Sequence, residues 1–367
     1  MDITIPVYQP SLNGNEKKYV NECLDSTWIS SKGKFINQFE DAFSAFINVK
    51  YAAAVSNGTV ALHVALIALG IGPGDEVIVP TLTYIASVNA ISYTGAKAVF
   101  VDSLVDTWQM DPGDVVSKIT SKTKAIMAVH LYGHPCEMDS LKKIATEHKF
   151  FLVEDCAEAI GSEYKGKHVG TFGDIATFSF FGNKMITTGE GGMVVTNDQN
   201  LHERVLHFKG QGLSKNTFYW HDVIGYNYRM TNICAAIGLA QLEQVEYFIR
   251  RKIQIAELYQ EKLKDLPVRF HTACKEVKHT FWMCSILITN GVNRDLLRNY
   301  LTERGIETRP LFFPIHTMPM YLNKIHNFQV AVELSSKGIN LPSYPTLTDT
   351  QVIEVSNQIR FFFDENN

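Results

Sequence analysis

Lys184 stands between a short apolar strand and a glycine-rich turn, in the run Thr177-Phe-Ser-Phe-Phe-Gly-Asn-Lys-Met-Ile-Thr-Thr-Gly-Glu-Gly-Gly192. A lysine amine in an apolar pocket has a depressed pKa and can condense with an aldehyde to a Schiff base. Most lysines are instead solvated surface residues, so two further segments decide how this one is read. In the first, Phe150 to Val153 reads as a buried strand that runs directly into Glu154 and Asp155. Acids at the C-terminal end of a parallel strand lie where open α/β sheets hold ligands. Asp155 before a run of small residues also suits a helix N-cap, and both readings stand. In the second, Ser56-Asn57-Gly58-Thr59 precedes the nearly all-apolar run from Val60 to Leu69 and the stop at Gly70. Hydroxyls, a glycine and unpaired N–H groups at a helix start make an anion site; the same residues also serve as an ordinary cap. No lysine follows at P-loop spacing. Together the segments supply a phosphate cradle, an acid and a Schiff-base lysine, the parts that pyridoxal 5'-phosphate requires.

The elements that must position these residues follow from the hydrophobic pattern. Strands are expected at Glu76–Pro80, Ala98–Asp102, Ala125–Tyr132, Phe150–Glu154, Ile175–Phe180 and Gly192–Thr196, with helices between them such as Thr59–Leu69 and Met138–His148. That alternation implies βαβ units around a mainly parallel sheet, and the close spacing after residue 175 implies some antiparallel pairing. A long helical pattern from Thr231 to Leu266 reads as a spine between a large and a smaller domain. A strand (Thr280–Thr289), a helix (Arg294–Arg304), a Pro-rich stretch from Arg309 to His316 and a final helix (Thr348–Phe363) follow it.

With 367 residues, 46% hydrophobic and 20% charged, the chain has an ordinary globular composition with room for two domains. A net charge of −4 and the lack of a basic, aromatic-interleaved cluster argue against nucleic-acid binding. Arg250-Arg251-Lys252 reads as a solvated helix face. Six scattered cysteines show no metal-ligand spacing and read as reduced, and Cys156 as a small buried residue rather than a nucleophile. No metal site is expected. The opening residues lack the pattern of a signal peptide and no run suits a membrane span, so a cytoplasmic location is expected.

With these segments in place, the chain resembles the fold-type I pyridoxal-phosphate enzymes, and among them the DegT/DnrJ/EryC1/StrS family of sugar aminotransferases. The resemblance covers essentially the whole length, including Ile5-Pro-Val-Tyr-Gln-Pro10, Trp28-Ile-Ser-Ser-Lys-Gly33, Pro80-Thr-Leu-Thr-Tyr84-Ile-Ala-Ser and Gly225-Tyr-Asn-Tyr-Arg-Met-Thr-Asn232. It implies an α/β fold with a mainly parallel seven-stranded sheet between helices in a large cofactor-binding domain over residues 1–245. A smaller C-terminal α+β domain would cover 246–367, with the N-terminal segment packing on it.

The resemblance also implies roles. Lys184 would carry the cofactor and shuttle the proton, and Asp155 would pair with its ring nitrogen. Ser56, Asn57, Gly58, Thr59 and Ser179 would hold its phosphate, joined by Asn227 from a neighbouring subunit. Tyr84 would stack on the ring, or else serve as a core tyrosine. Glu158 stands where many members have Gln, near the cofactor's phenolic oxygen. Two negative groups there repel, which leaves Glu158 protonated, solvated or turned away. Arg229 would clamp a carboxylate or phosphate bidentately or form a structural ion pair at the dimer contact, and His316 would meet the hexose or be satisfied within its loop.

The segments His207–Gly212, Tyr219–Asp222 and His316–Tyr321 are similar to the branch that aminates GDP-4-keto-6-deoxy-D-mannose at C4. That branch takes the amino group from L-glutamate and feeds O-antigen synthesis. Relatives that instead dehydrate this sugar at C3 carry His in place of the lysine, so Lys184 points to transamination. UDP- or dTDP-linked keto sugars are the alternative acceptors. A homodimer or higher homo-oligomer with shared active sites is implied.

Overall fold

The computed structural model describes residues 3–271, 273–322 and 327–365. Its strands are β1 (Tyr51–Val55), β2 (Glu76–Pro80), β3 (Lys97–Val101), β4 (Thr123–Val129), β5 (Phe151–Asp155), β6 (Glu163–Tyr164), β7 (Lys167–His168), β8 (Ile175–Ser179), β9 (Gly192–Thr196), β10 (Val268–Phe270), β11 (Val277–Lys278), β12 (Cys284–Ile288), β13 (Arg309–Pro310) and β14 (Gly338–Leu341). The large sheet has seven strands in the order β1-β9-β8-β5-β4-β2-β3. All run parallel except β9, which pairs antiparallel with both β8 and β1. This is the mainly parallel sheet that the sequence pattern implies, with the antiparallel pairing after residue 175.

Helices cover both faces, so the strands read as nearly continuous apolar runs. The helix Gly58–Ala68 is buried almost all round, which is why it carries no polar stripe. On the other face Phe35, Phe39, Phe43 and Ile47 recur at helical spacing along the helix Lys34–Ile47 and meet Phe178 and Phe180.

A four-stranded antiparallel sheet, in the order β10-β12-β14-β13, forms a second core with the helices Val245–Leu263 and Asp349–Glu365. Ile5 joins that core and bridges Ile306.

Four expectations need correction. The pattern from Thr231 to Leu266 forms two helices, Asn232–Leu242 and Val245–Leu263. They part where Asn15 and Tyr19 hydrogen-bond Glu243 at 2.7 and 2.6 Å, a tertiary contact that periodicity does not encode. Second, Lys252 is not solvated. It lies on the buried face of the second of these helices and donates to the carbonyls of Trp282 and Ser343 and to the Ser343 hydroxyl. Third, the strand expected to reach Tyr132 stops at Val129, and Leu131–Gly133 is a single 3-10 turn with Tyr132 at φ 56°. Fourth, the strand expected over Thr280–Thr289 is confined to Cys284–Ile288, because the preceding residues turn through Phe281 at φ 50°.

Where the loop after β4 meets the segment leading to β12, three histidine rings pack together. His271 stacks on Trp108 with centroids 4.2 Å apart, and His134, His271 and His279 lie within 5.4 Å of one another. Burial and mutual repulsion push His271 and His279 well below the ordinary imidazole range. Each is therefore neutral when folded and takes up a proton on unfolding below about pH 6.5. Folded pKa values below the unfolded ones mean that stability falls as pH drops through about 6.5, by roughly 1.4 kcal/mol per pH unit for each such group. Urea titrations at pH 7.5, 6.0 and 5.0 should show this slope. His271→Phe, which keeps the stack on Trp108, should flatten it; an equal acid slope in that variant would remove the cluster as its cause.

Candidate active site

Parallel strand order brings the C-terminal ends of β1, β2, β4, β5 and β8 to one edge, and there a cavity of about 620 Å³ opens. Register sets its floor. Val129 of β4 lies beside Asp155 of β5, which lies beside Thr177 of β8, and all three line the cavity. Ser179 and Val55 both pair with Gly192 of β9, so the turn after β1 is held against the end of β8. A side chain on Gly192 would sit 2.6 Å from the carbonyl oxygen of Asn57, and one on Gly58 2.7 Å from the Cβ of Ser179. This packing leaves the first turn of the helix Gly58–Ala68 open to the cavity, where Asn57, Gly58 and Thr59 line it. Asn57 also caps that helix, its side chain accepting the N–H of Val60 at 3.0 Å. Cap and anion site are thus one structure.

Lys184 lines the same cavity and is 9% exposed. Its Nζ lies 3.9 Å from the centroid of the Trp282 ring and 3.6 Å from Glu158 Oε1. Burial lowers its pKa, while the charges of Glu158 and Asp155 oppose that shift. The main chain is pinned by Tyr8, whose hydroxyl donates to the Lys184 carbonyl, and by Trp282 Nε1–H, which donates to the Asn183 carbonyl at 2.7 Å.

Asp155 begins no helix, which removes the N-cap reading. Its Oδ1 accepts the N–H of Ala157 at 3.1 Å and its Oδ2 the hydroxyl of Ser87 at 2.8 Å. Burial raises its pKa, opposed by those two hydrogen bonds and by Lys184. A buried carboxylate on a cavity wall is stabilised by a cationic N–H partner, which a protonated pyridine supplies. Beside it, Thr177 Oγ1 and Asn183 Oδ1 are buried without partners among the described residues. The donor set, the open helix start and these orphaned atoms fit a phosphorylated pyridine aldehyde.

Glu158 is neither solvated nor turned away: it is 5% exposed, lines the cavity, and accepts the N–H of Tyr132 at 2.8 Å. Burial pushes its carboxyl up to about 7, against the pull of Lys184. Tyr84 is no core tyrosine; at 55% exposed, it stands at the cavity wall, tilted against Phe312 at 5.6 Å.

Four expected site residues lie outside this lining. The Ser56 N–H donates to the Tyr228 carbonyl at 2.8 Å. Arg229 is exposed and hydrogen-bonded to Asn227 Oδ1 at 2.9 Å, away from the cavity lining. His316 Nδ1 meets Thr81 Oγ1 at 2.7 Å, a partner outside its own loop. The arginine that does line the cavity is Arg309. Ser87, Trp282 and Tyr8 were missed as well, since each acts through a partner remote in sequence and no local pattern marks it.

Glu154 has the opposite fate from its neighbour. It faces away from the cavity and accepts four bonds, from Gly170, Phe172 and Gly173 N–H and from His130 Nε2. His130, Glu154 and Cys156 are close enough to hold a metal ion. However, His130 Nδ1 accepts the Cys136 N–H, so its Nε2 carries the hydrogen and donates to Glu154. Burial pushes the Cys156 thiol far above its usual pKa.

A model described as the DegT/DnrJ/EryC1/StrS aminotransferase family matches residues 10–360. GDP-perosamine synthase of Escherichia coli O157:H7 is 63% identical over 361 residues, 98% of this chain and 99% of that protein. GDP-perosamine synthase of Vibrio cholerae is 52% identical over 98% of this chain and 99% of its own. Among solved structures, the PLP form of the putative sugar aminotransferase Spr1654 from Streptococcus pneumoniae superposes with a TM-score of 0.93 at 27% identity, covering 98% of this chain and 99% of that one.

Proposed function

The chain belongs to the DegT/DnrJ/EryC1/StrS aminotransferase family, and on that premise we propose that it transfers the amino group of L-glutamate to C4 of GDP-4-keto-6-deoxy-D-mannose. The products are GDP-perosamine and 2-oxoglutarate. The observation that carries the reading is the buried Lys184 amine in one cavity with Asp155 and an open helix start. The identity with two GDP-perosamine synthases supports the choice of acceptor. Pyridoxal phosphate is the cofactor of this family; when bound it supplies an aldehyde carbon and a ring that delocalises the charge left by a departing proton.

The residues divide the work by position. Lys184 would hold the cofactor through its amine, and that amine would move the proton at the substrate carbon bearing nitrogen. Asp155, fixed by Ser87 and Ala157, would keep the ring nitrogen protonated. Asn57, Gly58, Thr59 and Ser179 bind the phosphate at the helix start. Tyr84 stands where a ring can stack on its face, and Glu158 lies beside the amine. Ser56 supports the cradle from behind, and Asn227, exposed on its loop, is assigned to the site of a neighbouring subunit in a homodimer.

The large domain of this reading spans 1–245 and the small one 246–367. Among the described residues no helix is long and apolar enough to cross a membrane; with a nucleotide-sugar substrate, the reading places the enzyme in the cytoplasm, upstream of O-antigen assembly.

The test is the product mass after incubation with pyridoxal phosphate, L-glutamate and GDP-4-keto-6-deoxymannose. Exchange of the carbonyl oxygen for an amine is the expected result. Loss of oxygen without gain of nitrogen would establish the C3 dehydration instead, and an unchanged sugar would move the acceptor to UDP- or dTDP-linked keto sugars.

A further inference from the structure

Glu158 is held more firmly than a passive lining residue needs to be. Its Oε2 accepts the main-chain N–H of Tyr132, and that N–H is aimed by a left-handed backbone, φ 56° and ψ 15°, at a fully buried tyrosine. Such a conformation costs a bulky residue about 1–3 kcal/mol and persists only where the surroundings enforce it. Here they do: the Tyr132 ring stacks on both Trp282 and Phe312, and its hydroxyl accepts the Phe312 N–H at 2.9 Å. The strained turn fixes one carboxylate oxygen and leaves the other, Oε1, facing Lys184 Nζ at 3.6 Å.

Among the described residues, the charged and titratable groups acting on this pair are Asp155 and the Tyr132 phenol. Asp155 is the other base within electrostatic reach of Lys184, but both of its oxygens already accept hydrogen bonds from Ser87 and Ala157. Nζ also lies over the Trp282 ring, which accepts no proton.

We propose that Glu158 and Lys184 share a single proton, so that Glu158 holds the proton whenever Lys184 must act as a neutral amine. In the step, an O–H bond forms at Glu158 Oε1 as an N–H bond breaks at Lys184 Nζ. An ammonium and a carboxylate become an amine and a carboxylic acid, with no change in net charge and no co-reactant. Contacts of this kind are often long in the absence of ligand and tighten when the site fills. Burial assists, because it raises the carboxyl and lowers the amine, narrowing the gap of about six pH units that separates free Glu from free Lys. The two protonations belong to the pair rather than to either residue. The proposal rests on the assignment of Lys184 as the reacting amine.

Competitive labelling of the cofactor-free full chain, followed by peptide mass spectrometry from pH 5 to 10, reads the Lys184 amine directly. In Glu158→Gln, which keeps the volume and an acceptor for Tyr132 N–H, the labelling midpoint of Lys184 should move down by about one pH unit or more, the scale expected for loss of a carboxylate at this distance. Glu158→Asp retains a carboxylate one methylene farther away and should fall between the two; it also serves if the Gln variant does not fold. The pH midpoint of the absorbance of bound pyridoxal phosphate should move in the same direction. An unchanged Lys184 midpoint in both variants would overturn the proposal. If wild-type protein formed no absorbance band with pyridoxal phosphate, the cofactor assignment would fail, while the labelling shift would still judge the Glu158–Lys184 pair.

Discussion

Replacing Lys184 by Ala is expected to abolish amination while leaving the fold and the phosphate cradle in place. No other lysine lines the cavity among the described residues, so no second amine can stand in. Among the described residues, the two other buried lysines are committed elsewhere. Lys209 is bound to Glu40 at 3.2 Å and to the Ala54 carbonyl at 2.8 Å, and Lys252 to Trp282 and Ser343. Positioned acid–base transfer supplies about 10²–10⁴ in rate, and the loss of the covalent anchor adds to it, so a fall of at least about three orders of magnitude is expected. Glutamate-dependent formation of amino sugar nucleotide, measured by product mass, gives the rate. Borohydride reduction followed by peptide mapping shows whether cofactor is still trapped at residue 184. The variant should bind pyridoxal phosphate without trapping it. Stability should change little, because Glu158, already raised to about 7, can take up a proton when its partner is removed. A rate within tenfold of the parent would exclude Lys184 as the reacting amine.

The parts of the site that were legible in the sequence are those whose neighbours in space are also neighbours along the chain. The turn after β1 carries its own cap and its own glycine, so Asn57 to Thr59 announce a helix start whatever surrounds them. Asp155 was legible because strand ends in parallel sheets share one edge. Tyr84 and Lys184 came with their segments. What the sequence did not show depends on contacts between residues far apart along the chain. Trp282 reaches the Lys184 amine from the segment before β12, and Tyr8 reaches its carbonyl from the N-terminus.

The same limit applies to residues whose partners lie elsewhere in the chain. His316 Nδ1 is held by Thr81, 235 positions away. Lys252 belongs to a basic triplet whose charge suggests solvent, yet helical phase turns its side chain inward to three oxygen acceptors. Glu158 falls between the two cases. Its type and position were legible, whereas its contact with Lys184 depends on a strained turn at Tyr132 that no composition rule anticipates.

Glu154 and Asp155 offer the sharpest separation of fold from function, because adjacent residues on a strand face opposite sides. Glu154→Ala would remove a fully buried carboxylate and strand three main-chain N–H groups, those of Gly170, Phe172 and Gly173, together with His130. Unmet buried donors cost about 1–3 kcal/mol each, and breaking a buried charged network typically costs about 3–5 kcal/mol in all. The variant should unfold at markedly lower urea or fail to accumulate as folded protein. Asp155→Asn keeps the size of the side chain and one oxygen acceptor, so its urea midpoint should stay close to that of the parent. Its effect falls on chemistry instead. A carboxylate at hydrogen-bond distance shifts the pKa of a partner by about 1–3 units, so its loss cuts the protonated fraction at the ring nitrogen by roughly ten- to a thousandfold. Amination should fall by a comparable factor. The two variants should therefore separate cleanly, one losing stability and the other activity at near-parental stability. Loss of stability in Asp155→Asn with activity per folded molecule retained would mean that Asp155, like Glu154, is structural, and that the cavity's reacting chemistry lies with other residues.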